Sequence, residues 1–124
     1  MVKKEQINLL YVDDEKLNRD LFLINFRNHY NVTTAESGFE GLNTLKLNKD
    51  ISIVISDMKM PGMNGVEFIR KAKSEHQNIS FFILTGFDIN DEISNAINEK
   101  IVNKYFRKPF NLKEIDRSIR EVIE

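Results

Sequence analysis

Four places in this sequence carry side chains that could do chemistry together: the pair Asp13-Asp14, then Asp57, Thr85 and Lys108. Each lies within two residues of the end of a short apolar run, the runs being Ile7 to Val12, Ile51 to Ile55, Ser80 to Leu84 and Val102 to Phe106. Three carboxylates in one cleft repel each other unless protons or a cation intervene. A divalent cation is the simpler remedy, and ligation by carboxylates, a backbone carbonyl and water suits Mg²⁺. Lys108 and Thr85 add little to metal binding, but they fit an anion lying between the metal and themselves. The ammonium would balance phosphoryl charge, and the hydroxyl would donate to a phosphoryl oxygen. A carboxylate at the centre can itself be the nucleophile, giving an aspartyl phosphate. Phosphoryl transfer asks mostly for positioning and charge neutralisation, which is what this set supplies.

For these groups to converge, the runs that precede them must lie side by side. The first three runs are apolar at consecutive positions, as in strands covered on both faces. A weaker run, Asn31 to Thr34, adds a fifth strand, and Val102 to Phe106 is polar enough for a sheet edge. Between them come helical stripes: Leu17, Leu21 and Ile24; Gly41, Leu42 and Leu45; Val66, Ile69 and Ala72; Ile89, Ile93 and Ala96 or Ile97; and Leu112, Ile115, Ile119 and Val122. Ser37 with Glu40 reads as a capping box, with Asn64-Glu67 and Asn111-Glu114 as close imitations. Phe22, Phe26, Phe39, Phe68, Phe81, Phe82 and Phe106 are expected as core or helix-packing residues, the Met58, Met60 and Met63 cluster packing a loop, and His29 and His76 at the surface. Five strand-then-helix units imply a parallel sheet with helices on both faces and right-handed crossovers. Such sheets bind ligands beyond the carboxyl ends of their strands. That rim is where the five chemical residues would meet.

Composition narrows the class. The chain has 124 residues, 18 basic against 19 acidic, a net charge of −1 and 41% hydrophobic residues. This balance argues against nucleic acid or an anionic membrane as direct partner, since such binding rests on uncompensated Lys and Arg. With no cysteine, disulfides, thiolate zinc sites and cysteine nucleophiles are excluded together. No apolar run approaches the roughly 18 residues of a spanning helix, and Met1 to Gln6 show no cleavable leader pattern. The expectation is a single cytoplasmic domain over 1–124. Its charge is uneven: residues 100–120 hold seven basic residues against two acidic ones.

Four motifs in order carry a family resemblance: Leu10-Tyr11-Val12-Asp13-Asp14-Glu15, Ser56-Asp57-Met58-Lys59-Met60-Pro61-Gly62-Met63-Asn64-Gly65, Leu84-Thr85-Gly86, and Tyr105-Phe106-Arg107-Lys108-Pro109-Phe110. Together they make the chain similar, from about Asn8 to Ile123, to the CheY-like receiver domains of two-component response regulators. The resemblance implies a doubly wound (βα)5 flavodoxin-like fold, an α/β sheet of strand order 2-1-3-4-5. It implies that Asp57 takes a phosphoryl group from a sensor histidine kinase or phosphotransfer protein. It further implies Mg²⁺ (or Mn²⁺) held by Asp13, Asp14, Asp57 and the Lys59 backbone carbonyl, with Asp13 acting largely through water. Lys108 and Thr85 would engage the phosphoryl group, and Tyr105 would turn inward as Thr85 moves. That switch would change the surface of the fourth helix, fifth strand and fifth helix, which faces an output domain or downstream partner and can support dimerisation on phosphorylation. The Lys108-Pro109 bond would be cis. Departures fall at Lys59, two residues after Asp57, and Phe87, two after Thr85; in this family both flank the phosphoryl group and set how fast water removes it.

Taken singly, these residues have plainer readings: Asp13-Asp14 as a helix cap, Asp57 as a turn residue, Thr85 and Lys108 as structural. All four would have to hold at four strand ends at once. Two other functions compete. A degenerate receiver that binds partners without phosphorylation would lack a member of the set, and none is missing. A haloacid-dehalogenase-type phosphohydrolase usually carries a second acid two residues after its nucleophile, where this chain has Lys59. No turnover of external substrates is therefore expected, only the protein's own phosphorylation and autodephosphorylation.

Overall fold

The computed structural model describes residues 7–123; the Met1 to Gln6 stretch lies outside them. Strands and helices alternate without exception: β1 (Asn8–Val12), α1 (Lys16–Phe26), β2 (Asn31–Ala35), α2 (Gly38–Leu47), β3 (Ile51–Asp57), α3 (Gly65–Glu75), β4 (Ser80–Thr85), α4 (Asp91–Asn98), β5 (Lys104–Arg107) and α5 (Leu112–Ile123). All neighbours pair in parallel, in the order β2-β1-β3-β4-β5. This is the expected doubly wound order, and it places β1 and β3 side by side at the centre.

The sheet separates two apolar layers, and strand alternation decides which residue joins which. Leu10, Val12, Val54, Phe81 and Ile83 face Phe68, Ile69, Ala72, Ile93 and Ala96 of α3 and α4. Leu9, Tyr11, Ile53, Ile55, Phe82 and Leu84 face Phe22, Phe26, Ile115 and Ile119 of α1 and α5. Consecutive apolar residues in one strand therefore serve opposite layers, which is why the strands read as unbroken apolar runs.

The α1 stripe points the other way from its expectation: Leu17, Leu21 and Ile24 are exposed, and Phe22 with Phe26 form the buried face. Both sets have helical spacing, so periodicity alone could not choose between them. The aromatic pair buries more apolar area and continues a stack, with ring centroids 4.1 Å apart for Tyr11–Phe22 and 4.2 Å for Phe22–Phe26. Phe39 is also exposed, against expectation. The inward side of α2 belongs to Gly38 and Gly41, where a Cβ would lie 2.8 Å from Met63 Sδ and 2.9 Å from the Phe68 ring. Ile89 and Val122 are exposed at the ends of their stripes.

His29 and His76 are half-buried rather than at the surface, and His76 Nε2 is enclosed without a hydrogen-bond partner among the described residues. The β5 strand begins at Lys104, not Val102. At Asn103 the side-chain oxygen, instead of a backbone carbonyl, accepts from Phe81 N (3.0 Å). The caps also exchange roles. Asn64 and Glu67 form the complete capping box, whereas Ser37 caps Glu40 N but the Glu40 carboxylate accepts from Glu36 N. Asn90, unassigned in the sequence, caps α4 by accepting from Ile93 N at 2.8 Å.

Candidate functional site

The rim at the carboxyl ends of β1, β3, β4 and β5 gathers the predicted residues. Parallel register puts Asp57 beside Leu84 and Thr85 beside Arg107. Asp13, Asp14 and Asp57 each offer a carboxylate oxygen within 4.8 Å of the others. Asp13 and Asp57 are buried and Asp14 is exposed. Lys108 Nζ bridges the buried two, 3.2 Å from Asp13 Oδ2 and 3.3 Å from Asp57 Oδ1. Its peptide bond to Pro109 is cis.

Thr85 is buried and tied to the lysine through the main chain, Lys108 N donating to Thr85 O at 2.7 Å. Its hydroxyl oxygen accepts from Phe87 N (3.2 Å), so the hydroxyl proton is not used in that bond. Tyr105 lies three residues before Lys108, half-buried against the α3–α4 layer and paired across the ladder with Ile83. It belongs to the layer opposite the acidic cluster. Lys59 is exposed, its ammonium 4.1 Å from the Phe87 ring centroid. The two departures noted in the sequence thus touch each other beside the site.

The loop after Asp57 is fixed tightly. Ser56 Oγ donates to Asp57 O at 2.8 Å, Met58 N donates to Asp57 Oδ1 at 2.9 Å, and Gly65 N donates to Met58 O at 2.8 Å. Gly62 supplies a left-handed turn at φ 80°. A Cβ on Gly65 would fall 2.3 Å from Asp57 O, so the start of α3 approaches the backbone of Asp57 itself. Met58, Met60 and Met63 are buried beneath this loop. The Asn64 amide reaches Glu92 of α4 at 3.2 Å, and Arg70 meets Glu99 at 2.6 Å, joining α3 to both ends of α4.

Asp13 is held at every polar atom. Its N donates to Ala35 O, its O accepts from Arg19, Oδ1 accepts from Glu15 N, and Oδ2 accepts from both Tyr11 and Lys108. Asp14 has no hydrogen bond among the described residues. The sequence reading missed the contributions of Tyr11 and Arg19. Tyr11 was detectable as a hydroxyl in an apolar strand, two residues before Asp13 and so on the same face.

Electrostatics follow from this crowding. Burial, with Asp13 adding to it, pushes the Asp57 carboxyl up to about 6 despite Lys108 and Met58 N. Burial works against the Lys108 ammonium, but Asp57 and Asp13 outweigh it and hold that group above its ordinary value. Burial leads the Asp57 shift, and the carboxylates of Asp13, Asp14 and Asp57 outnumber the one ammonium of Lys108. The donor set, all carboxylate oxygen with one exposed member, fits a hard divalent cation.

The Asp57 shift also fixes a pH dependence. Its folded value lies above the unfolded one, so the folded state holds this proton more tightly, and the group's contribution is lost as pH rises from about 4 through 6. A shift of about two units corresponds to roughly 3 kcal/mol. Without metal, the stability gap between Asp57→Asn and the parent protein is expected to widen over that pH range in urea titrations, and millimolar Mg²⁺ to narrow it at pH 7.5. A gap independent of pH would contradict the assignment.

Comparison with known proteins places this arrangement. A family model, the response regulator receiver domain, matches residues 9–120. The chain is 27% identical over 120 residues to the hydrogenase transcriptional regulatory protein HoxA of Cupriavidus necator, covering 97% of this chain and 25% of that protein. It thus spans about a quarter of that relative's length. It is 29% identical over 121 residues to a chemotaxis protein CheY homolog of Campylobacter jejuni, covering 94% of this chain and 92% of that one. Among solved structures, response regulator protein TrrA of Thermotoga maritima in complex with Mg²⁺-BeF matches with TM-score 0.80 and 25% identity, covering 94% of this chain and 98% of the other.

Proposed function

Because this chain belongs to the response regulator receiver domain family of two-component systems, we propose that it is a phosphorylation-dependent switch whose phosphoacceptor is Asp57. Receivers are signalling switches and not turnover enzymes on external substrates. The observation that carries the reading is the convergence of Asp13, Asp14 and Asp57 on one rim, with Lys108 bridging the two buried carboxylates. The carboxyl value near 6 leaves Asp57 mostly ionised at neutral pH, as a nucleophile must be.

In the transfer, an Asp57 oxygen forms a bond to phosphorus as the bond from phosphorus to the donor's histidine nitrogen breaks. The electron pair of that bond stays with the ring nitrogen. Asp13, Asp14, Asp57 and the Lys59 carbonyl would hold Mg²⁺ (or Mn²⁺), which when bound neutralises charge on the phosphoryl oxygens. Lys108 moves from Asp13 to a phosphoryl oxygen, and Thr85 donates its free hydroxyl proton to another. Thr85 and Tyr105 lie toward the α4 layer, so the movement of Thr85 is passed to the α4-β5-α5 surface, where Lys104 and Arg107 are exposed.

The partners in this reading are a sensor histidine kinase or phosphotransfer protein on one side, and an output domain or downstream protein on the other. Dimerisation through the switched surface is one such output. Residues 1–124 act as one receiver in the cytoplasm, without direct contact to nucleic acid or membrane. Against a phosphohydrolase reading, the residue two after Asp57 is Lys59, and its ammonium lies over Phe87.

Incubation with Mg²⁺ and a small acyl phosphate tests the proposal. Intact mass is expected to rise by one base-labile phosphoryl group. No adduct would sink the reading in favour of constitutive binding, and rapid multiple turnover would favour a hydrolase. Once the phosphoform is made, the Lys59–Phe87 pair should slow its hydrolysis by covering the approach to Asp57. An exposed cation–π contact of about 0.5–1 kcal/mol translates into roughly a two- to fivefold rate effect. Phe87→Ala is expected to lose phosphoryl label that much faster, and an unchanged half-life would remove the pair from the mechanism.

A further inference from the structure

Tyr11 lies on β1, outside the set assigned above, and its phenol points into the site. It donates to Asp13 Oδ2 at 2.6 Å, the same oxygen that Lys108 Nζ contacts at 3.2 Å. The other carboxylate oxygen accepts from Glu15 N at 3.0 Å. The ring itself needs no hydroxyl to pack, being stacked on Phe22 with planes 1° apart. Tyr11 is 1% exposed, so the hydroxyl has no solvent to turn to. We propose that Tyr11 is a positioning residue for Asp13: its hydroxyl shares Oδ2 with Lys108, so that the lysine can leave for the phosphoryl group without stranding a buried carboxylate.

The inference rests on the aspartyl-phosphate reading of the site. A buried carboxylate that loses a charged donor carries a desolvation penalty unless another donor remains. With Tyr11 in place, Asp13 keeps one strong bond at each oxygen after Lys108 departs. Without the hydroxyl, Lys108 is the only side chain on Oδ2 among the described residues and is held back there. The same hydroxyl competes with a metal for Asp13. Its removal therefore leaves Oδ2 with one donor fewer to compete with the cation, while slowing the step that needs Lys108. These two effects have opposite signs, and general damage to the site would not produce them together.

Tyr11→Phe keeps the stack on Phe22 and removes only the donor. Mn²⁺ alone, followed by electron paramagnetic resonance, is expected to bind about threefold tighter to this variant. With saturating Mg²⁺, the maximal rate of phosphorylation by a small acyl phosphate should fall about tenfold, with the half-saturating donor concentration unchanged. Unaltered metal affinity and rate, or a joint loss of both, would overturn the inference. If Tyr11→Phe does not fold, Mg²⁺ titration in a Tyr105→Phe background decides the matter. The tyrosine near-UV circular dichroism should then change as the metal draws on Asp13, and a silent spectrum would overturn the assignment. Failure of the parent protein to take up phosphate would instead strike the underlying reading, because the Mn²⁺ measurement does not depend on it.

Discussion

Asp57→Asn is expected to abolish phosphoryl uptake completely and, in the same molecule, to raise the stability of the metal-free protein. The first effect follows from chemistry, since the amide has no anionic oxygen to attack phosphorus. The second follows from the burial of Asp57 beside Asp13, which makes its ionised form costly in the fold. Burial and Asp13 together push the Asp57 carboxyl up to about 6, so at pH 7.5 the folded chain pays to keep it ionised. Asparagine has nearly the same shape, retains an oxygen to accept from Met58 N, and leaves Lys108 its contact with Asp13 at 3.2 Å. Relief of about 2–3 kcal/mol is the expected scale, or roughly 6–12 °C in the unfolding midpoint of a domain this size. Thermal unfolding with and without Mg²⁺ checks it, because the metal should stabilise the parent and leave the variant nearly unmoved. An Asp57→Asn protein less stable than the metal-free parent would show that Lys108 already balances the cluster.

Gly65→Ala carries the other large effect. The added methyl would fall 2.3 Å from Asp57 O, 3.1 Å from Asp57 C and 3.0 Å from Ile83 Cδ1. Two of those neighbours are main-chain atoms of a central strand that has partners on both sides, so neither can yield cheaply. Either α3 lifts away, breaking the 2.8 Å bond from Gly65 N to Met58 O, or the end of β3 shifts and takes Asp57 with it. A cost of about 3 kcal/mol or more is expected, at the upper end of overpacking, with the midpoint falling by about 10 °C and phosphorylation slowed in whatever remains folded. Gly86→Ala is the matched comparison. Nothing lies within 4 Å of its Cβ, so its stability should change by less than about 0.5 kcal/mol. Equal stability of the two alanine variants would mean that α3 does not need its close approach to β3.

Much of the site was legible because a parallel sheet collects whatever lies at the carboxyl ends of its strands, and the residues at those ends of β1, β3 and β5 are charged. The strand order followed from the family resemblance and not from periodicity, whereas Val66, Ile69 and Ala72 were assigned to the core because each α3 position has one plausible face. The α1 helix had two. Leu17, Leu21 and Ile24 make as regular a stripe as Phe22 with Phe26, and only the stack onto Tyr11 settles which turns inward. Phe39 was misread because the inward face of α2 is set by its closeness to Met63 and Phe68, a distance that local sequence does not carry. Tyr11 was hidden by its own ring, which behaves as core while its hydroxyl belongs to the site. The early start given to β5 failed at Asn103, where a side chain imitates the backbone of a strand.

The sheet that separates the two apolar layers also separates two kinds of inheritance. Asp13, Asp57 and Lys108 meet beside the α1–α5 layer, while Tyr105 lies against the α3–α4 layer on the other side. Apart from the start of α3, where Gly65 meets Asp57, substitutions in one layer have a wall of paired backbone between them and the other. A lineage could thus redraw the surface around α4 to suit a new listener while the chemistry behind the sheet stayed untouched, and Thr85, at the end of β4, would be among the few positions not free to follow either history alone.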